Sequence, residues 1–276
     1  MPIHNITGGG ALRLAVHEYG SPEGKPIVLI HGINQCSLVW QRQYTSPLAD
    51  EFRCVCLDLR GHGMSEKPTG PEHYSQADLW ADDVHAVLSA LSLRNPILVG
   101  WSYGGYIINE YLAKHGDGEI GGIIYVCAGV VMGGAKAKNM IGGAFMKTAP
   151  GMCSENLEDN IQAVRELVRI LFHKQPAQED IEVLLASSMV VPPTGRFGML
   201  SRTIDRDTVM QRLKVPVLVT KGDVDAVVMP SHTEHLLACI PHAEASRYEG
   251  IGHSPHVEAP ERFNRELARF ARRYAG

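Results

Sequence analysis

A serine between two glycines, placed where a strand pattern gives way to a helix pattern, constrains this chain most. Residues 100–104 have the sequence GWSYG, and the apolar run 96–99 precedes them. That run is typical of a buried parallel strand, and helical spacing of apolar residues follows the turn. Such a turn strains the backbone of Ser102 and directs its hydroxyl away from the sheet. Gly100 and Gly104 carry no side chains, so we predict that strand and helix cross closely there, where a side chain on either residue would collide with the other element.

Strand and helix patterns alternate on both sides of this turn. A hairpin is predicted over residues 3–19, and a capping box at Ser75 is predicted to open a helix that precedes the turn. Further buried strands are predicted at 26–30, 53–57, 121–127 and 215–220, and a short one near 245–248. The alternation is typical of a mostly parallel α/β sheet with helices on both faces.

The pattern changes between residues 129 and 207, where we predict helices and no buried strand. Ser154 is expected to cap one of these helices. We therefore predict a core of residues 1–128 and 208–276 with a helical cap insertion at 129–207. Large apolar side chains in the insertion suggest an apolar cavity, although packing between cap helices would explain them too; they are Met132, Met140, Phe145, Met146, Met189 and Phe197.

Composition excludes several classes of protein. The 276 residues are 45% hydrophobic, enough for a full core, and the net charge of −4 gives no sign of a nucleic-acid or membrane-surface partner. No apolar run approaches the roughly 18 residues of a membrane span, and residues 1–10 do not resemble a signal peptide. The six cysteines lack metal-site spacing. We expect free buried thiols, no metal and a cytoplasmic protein, with the oligomeric state left open.

The chain resembles the α/β-hydrolase superfamily, and is most similar to its cofactor-free haloperoxidase and esterase branch. Five stretches in the expected order carry the resemblance: His31-Gly32, residues 58–65 (DLRGHGMS), 100–104, 222–225 (GDVD) and Gly252-His253. The resemblance implies an α/β-hydrolase fold, with a mostly parallel eight-stranded sheet, helices on both faces, a helical cap and no cofactor.

A catalytic triad is predicted from this order. A serine hydroxyl needs a base within reach and a third group that orients the base, and in this fold the acid precedes the histidine. Ser102 is the predicted nucleophile and His253, in a glycine-rich loop near the C-terminus, the base; a surface loop histidine is the alternative. Asp223 and Asp225 both follow the strand at 215–220. The G-x-x-D spacing of the family selects Asp225, and a simple turn role is the alternative for both.

Two backbone N–H groups are predicted to bind the oxyanion of the reaction. Tyr103 follows the nucleophile at a helix N-terminus, and Ile33 follows His31-Gly32. Asn34 is predicted to add a contact to the substrate, or else to cap local structure. Trp101 is predicted to line the acyl pocket, with core packing an equal alternative.

Other polar residues receive structural roles only. We expect Asp58 and Arg60 to hold their own turn together, and His31 and His62 to lie in turns. His256 is expected on the first turn of the last helix, and the remaining histidines on the surface.

The predicted function is a serine hydrolase that cleaves a small carboxylic ester or lactone through an acyl-enzyme. The resemblance also implies a side perhydrolysis with hydrogen peroxide. A carbon–carbon bond hydrolase is less favoured, because those relatives commonly carry tryptophan after the catalytic histidine and Ser254 stands here. A lyase, a ligand receptor of the same fold, or an interaction protein with a relic turn are further alternatives.

Overall fold

The computed structural model describes residues 2–276, and eight of its strands form one sheet. The ten strands are β1 (Ile3–Thr7), β2 (Arg13–Gly20), β3 (Lys25–Ile30), β4 (Phe52–Leu57), β5 (Ile97–Trp101), β6 (Gly122–Val126), β7 (Val131–Met132), β8 (Ile204–Asp205), β9 (Val217–Gly222) and β10 (Glu244–Tyr248). The large sheet has the order β1-β2-β4-β3-β5-β6-β9-β10, and β7 pairs with β8 separately. The pairs β1–β2 and β2–β4 are antiparallel, and all pairs from β4 to β10 are parallel.

Helices occupy most of the connections between these strands. They are α1 (Gln41–Tyr44), α2 (Leu48–Glu51), α3 (Glu72–Ser75), α4 (Ala77–Ala90), α5 (Tyr103–His115), α6 (Gly143–Met152), α7 (Leu157–Ile170), α8 (Gln178–Met189), α9 (Pro193–Leu200), α10 (Asp207–Met210), α11 (Pro230–Cys239), α12 (Pro255–Glu258) and α13 (Pro260–Tyr274). Short 3₁₀ helices lie at Gly9–Ala11 and Ser37–Trp40.

The centre of the sheet is covered on both faces. Successive side chains of a strand point to opposite faces, yet every residue of β5 and β6 is buried. Helices must therefore cover each face, as the unbroken apolar runs of these strands predict. The predicted eight-stranded, mostly parallel sheet is confirmed.

A buried ion pair joins the loop after β4 to α4. Arg60 Nε donates to Asp83 Oδ2 at 2.7 Å and Nη2 donates to Oδ1 at 2.8 Å, with both side chains almost completely buried. Asp83 Oδ1 also accepts from the backbone N–H of Gly9. Arg60 thus reaches a neighbouring helix, and does not hold its own turn as predicted. Asp58 does hold that turn, through the N–H of Met64.

Two predicted helix caps are wrong. Ser75 belongs to α3 and its hydroxyl donates to Glu72 O, while α4 begins after Gln76, which makes no side-chain cap bond among the described residues. In the insertion, Asn156 caps α7 by accepting from the N–H groups of Glu158 and Asp159. Ser154 accepts instead from the N–H of Asn156 itself, so it lies two residues too early to cap the helix.

Residues 129–207 contain α6 to α9 and a small antiparallel ribbon. Val131 pairs with Asp205 and Met132 with Ile204, so the ribbon brings the two ends of the segment together. Strands of two residues carry no recognisable alternation, which explains why the sequence did not predict them. The boundaries at 129 and 207 remain a prediction.

All six thiols are free within residues 2–276, and five of them are buried, as predicted. No single helix within residues 2–276 is long and apolar enough to cross a bilayer. Helices α8 and α9 reach such a length and hydropathy only together, and the pair is bent by 84°.

We expect Asp83→Asn to lower the free energy of unfolding by about 3–5 kcal/mol, because it leaves the buried Arg60 guanidinium without a counter-charge. The matched control is Asp82→Asn on the same helix, whose half-exposed carboxylate pairs with Lys114 and should lose less than about 1 kcal/mol. Urea denaturation of both variants measures this. Equal losses would contradict the role of the buried pair.

Candidate active site

The turn that carries Ser102 is strained. Ser102 lies between β5 and α5 with φ 53° and ψ −115°, a backbone conformation that a side chain disfavours. Its N–H donates to Val126 O at 3.0 Å, and its carbonyl accepts from the N–H groups of Gly105 and Gly129, each at 3.0 Å. These bonds anchor the serine backbone to β6 and to the segment after it.

Glycines surround the turn for steric reasons. A Cβ atom on Gly104 would lie 2.6 Å from Ile30 O, and one on Gly100 would lie 2.6 Å from the side chain of Ile108. The predicted close crossing of strand and helix is confirmed. A Cβ atom on Gly32 would lie 2.9 Å from Cβ of Ser102. The loop after β3 is therefore in direct contact with the serine.

His253 and Asp225 form a buried hydrogen-bonded pair. His253 Nδ1 lies 2.9 Å from Asp225 Oδ2, and both side chains are at most 1% exposed. The second carboxylate oxygen, Oδ1, accepts from the N–H groups of Val227 at 2.8 Å and Val228 at 3.0 Å. Because a carboxylate only accepts, Nδ1 carries the hydrogen, which leaves Nε2 of the neutral ring as an acceptor. Nε2 is buried and has no partner within residues 2–276.

Asp223, the other aspartate after β9, is engaged elsewhere. It accepts from the N–H of Gly250 at 2.8 Å and pairs with the exposed Arg247 at 3.3 Å. The structure thus brings Asp225 to His253, and not Asp223, in agreement with the spacing argument.

Glu258, which the sequence did not single out, holds the loop of His253. One carboxylate oxygen of Glu258 accepts from the backbone N–H of Gly252. The other oxygen accepts from the backbone N–H groups of His173 and Lys174, which lie within residues 129–207. Burial raises the pKa of the Glu258 carboxyl.

Trp101 and His256 pack around the same loop. Trp101 Nε1 donates to His253 O at 2.8 Å, and its ring meets His256 edge to face at 4.8 Å. His256 lies in α12, not in the last helix, and is completely buried with no hydrogen-bond partner among the described residues for either ring nitrogen. Burial holds its pKa well below the usual range. The ring is therefore neutral, and it fills space behind the candidate catalytic histidine.

A cavity of about 710 Å³ opens beside Ser102. Ile33 and Tyr103 line it next to the serine, and the rest of its wall comes mainly from residues 129–149. Of the six apolar side chains predicted to line a cavity, Met132, Phe145 and Met146 do so. The other three, Met140, Met189 and Phe197, are not part of its wall in the described structure.

The N–H groups of Ile33 and Tyr103 are available for a ligand. Both residues line the cavity beside Ser102, and neither N–H has an acceptor within residues 2–276. Tyr103 is the first residue of α5, so its N–H points out of the helix end and the helix dipole favours an anion there.

Asn34 and Trp101 do not contact the cavity. Both are buried to 1% exposure or less, and neither lines it in the described structure. The Asn34 carbonyl oxygen accepts from Arg196 Nε at 3.0 Å, while the indole of Trp101 is bonded to the His253 loop. The predicted substrate contacts are therefore not supported, and the packing alternative fits each residue.

Arg196 of α9 connects the insertion to this loop. It is completely buried and donates to four oxygens on four segments: those of Asn34, Met152, Asn160 and Ser188. Burial lowers its pKa to about 10, so the guanidinium stays charged at neutral pH. It thereby ties α9 to the residue that follows Ile33.

His232 lies in the interior, although the sequence analysis placed it on the surface. Its Nε2 accepts from the N–H groups of Val130 at 2.7 Å and Val131 at 3.1 Å, next to Gly129 of the cavity wall. Burial lowers the pKa of His232 to about 4. A protonated ring would turn Nε2 into a donor that faces two other donors.

We expect this histidine to destabilise the fold in acid. The unfolded ring takes up a proton near its ordinary pKa of about 6.5, whereas the folded ring stays neutral down to about pH 4. The free energy of unfolding should therefore fall as the pH drops from about 6.5 to 4. His232→Gln keeps an acceptor near Nε2 and should flatten this slope in urea titrations at successive pH values. An unchanged slope would contradict the assignment.

The chain is similar in sequence and in fold to known proteins. The model of the alpha/beta hydrolase family matches residues 27–266. The crystal structure of esterase RhEst1 from Rhodococcus sp. ECU1013 superposes with a TM-score of 0.92, at 34% identity and with 98% of each chain covered.

Two curated relatives span nearly the whole chain. Non-heme chloroperoxidase CPO-A1 of Kitasatospora aureofaciens is 28% identical, with 98% of this chain and 99% of the relative covered. A pimeloyl-[acyl-carrier protein] methyl ester esterase of Vibrio cholerae is 25% identical, over 95% of this chain and 100% of the relative. The resemblance inferred from the five motifs is confirmed, and the chain belongs to the alpha/beta hydrolase family.

Proposed function

We propose that this chain is a carboxylic ester hydrolase that cleaves small esters or lactones through an acyl-enzyme on Ser102. The observation that carries the proposal is the buried His253–Asp225 pair, with Nε2 left as an unoccupied acceptor, in a fold that holds Ser102 on a strained turn beside a cavity. A serine hydroxyl becomes a good nucleophile only with such a base.

The residues have complementary roles in the reaction. Ser102 Oγ attacks the ester carbonyl carbon while its proton passes to His253 Nε2. Asp225 keeps the hydrogen on Nδ1 and stabilises the imidazolium that forms. The N–H groups of Ile33 and Tyr103 stabilise the negative charge on the former carbonyl oxygen.

The second half of the cycle regenerates the serine. The tetrahedral intermediate expels the alcohol, which takes its proton from His253, and leaves the acyl group on Ser102. A water molecule then attacks the acyl-enzyme, with His253 again as the base. Hydrogen peroxide in place of this water would yield a peracid, and the chloroperoxidase relative supports such a side reaction.

The cavity and the insertion bear on the choice of substrate. The walls of the cavity are mostly apolar side chains and glycine backbone, supplied largely by residues 129–149. These walls favour an uncharged apolar substrate group over a polar one. The names of esterase RhEst1 and of the Vibrio cholerae methyl ester esterase support a carboxylic ester as the substrate. Free buried thiols support a reducing compartment, and we place the protein in the cytoplasm on that ground.

Replacement of the nucleophile tests the proposal first. We expect Ser102→Ala to lower kcat for p-nitrophenyl acetate, butyrate and octanoate by at least about 10⁴-fold, since no acyl-enzyme can form. Ser89→Ala, an exposed serine of α4, is the control and should retain wild-type rates. The ratio of kcat/KM along the acyl series also measures the length of the apolar pocket.

If the wild-type protein hydrolyses none of the three esters, the proposal of an ester hydrolase is wrong. In that case the carbon–carbon bond hydrolase, the lyase and the ligand receptor are the readings left to test.

Replacement of each aspartate in turn tests which of the two orients His253. Asp225→Asn presents an amide N–H or oxygen to His253 Nδ1 and disturbs the tautomer, so kcat should fall by about 10⁴-fold. Asp223→Asn is the matched control on the same loop, and we expect less than about a threefold change because its partners are Gly250 and Arg247. A larger loss in Asp223→Asn than in Asp225→Asn would reverse the assignment.

A further inference from the structure

A cluster of potential metal ligands lies outside the candidate active site. Asp207 begins α10, while His235 and Cys239 stand four residues apart on one face of α11. One ligand atom from each of the three residues lies within 4.8 Å of the other two. His235 Nε2 is 2.8 Å from Asp207 Oδ1 and 3.6 Å from Cys239 Sγ.

These distances are close to those of a tetrahedral zinc site. Zinc binds thiolate sulfur at about 2.3 Å and histidine nitrogen or carboxylate oxygen at about 2.0–2.2 Å. Tetrahedral angles then place neighbouring ligand atoms roughly 3.3–3.6 Å apart. The sulfur–nitrogen distance already fits. The nitrogen–oxygen pair would open by about 0.5 Å, as the ion replaces the hydrogen that now lies between the two atoms.

We propose that Asp207, His235 and Cys239 bind a zinc ion, with water as the fourth ligand. A mixed sulfur, nitrogen and oxygen set favours zinc over magnesium or calcium, which prefer oxygen alone. The Cys239 side chain is buried, whereas His235 and Asp207 are 20% and 17% exposed, so the site has an opening to solvent.

The charges around the cluster are compatible with a divalent cation. Lys136 pairs with Asp205 and, at 2.7 Å, with Asp207 Oδ2, the oxygen that does not face His235. Cys239 loses its thiol proton to solvent when it binds the ion. The thiolate and the two carboxylates then balance Lys136 and the cation. Lys136 stands between Ala135 and Ala137 of the cavity wall, so the site would join α10 and α11 to that wall.

The cysteines lack metal-site spacing among themselves, and for that reason no metal is predicted from the sequence. The relevant spacing is His-x₃-Cys on a helix, joined by an aspartate 28 residues earlier in the chain. Such a trio is recognisable only when the fold is known.

Cobalt titration of the metal-free protein tests the proposal. One equivalent of Co²⁺ should give a thiolate-to-cobalt charge-transfer band in the near ultraviolet and tetrahedral bands in the visible, and Zn²⁺ should displace it. Cys239→Ser should lose the charge-transfer band. The matched control is Cys153→Ser, a half-buried thiol away from the cluster, which should keep it.

X-ray absorption of the wild-type protein with one equivalent of Zn²⁺ provides a readout that does not depend on any variant. One sulfur at about 2.3 Å, with nitrogen or oxygen as the other ligands, is the expected result. A zinc shell without sulfur, or a cobalt band that persists in a folded Cys239→Ser, would place the ion elsewhere and overturn the proposal. Hydrolysis of esters is not used as a readout, so the outcome is independent of the proposed function.

Discussion

The close approach of α5 to the central strands underlies the whole site. The approach is possible because Gly104 presents only a hydrogen atom to Ile30 O. Ser102, which lies between β5 and α5, adopts a backbone conformation with φ 53° there. The strain is compensated by backbone bonds from Ser102 to β6 and to Gly129. The same bonds that hold the serine therefore also position the beginning of the cavity wall. Loss of this crossing would remove the nucleophile, the free N–H of Tyr103 and the wall together.

Residues 129–207 are attached to the site by one completely buried polar side chain and one partly buried one. Arg196 reaches from α9 to the loop beside Ile33, and Glu258 joins residues 173–174 to the loop of His253. Burying the charge of Arg196 is costly unless its hydrogen bonds are made, so these contacts favour one placement of residues 129–207 over others. The position of the insertion and the geometry of the two reactive loops are thus coupled.

Local patterns predicted the strands, the turn and the choice of Asp225, because those features follow from periodicity and from short spacings. They failed where partners come from distant parts of the chain. Asn34 bonds to Arg196, 162 residues away, and His232 bonds to Val130 across 102 residues, so no window of sequence contains either contact. The helix cap at Ser154 was wrong for another reason, since Asn156 two residues later is an equally good cap and only the start of the helix decides between them.

The central claim is that Ser102 forms a covalent acyl-enzyme with the help of His253. Mass spectrometry of the protein, quenched in acid within milliseconds of mixing with p-nitrophenyl acetate and then digested, measures this directly. We predict a single acetyl group on the peptide that contains Ser102, in step with a burst of up to one equivalent of p-nitrophenol. An acetyl group on another residue, or turnover without any adduct under conditions that trap a control serine esterase, would contradict the account.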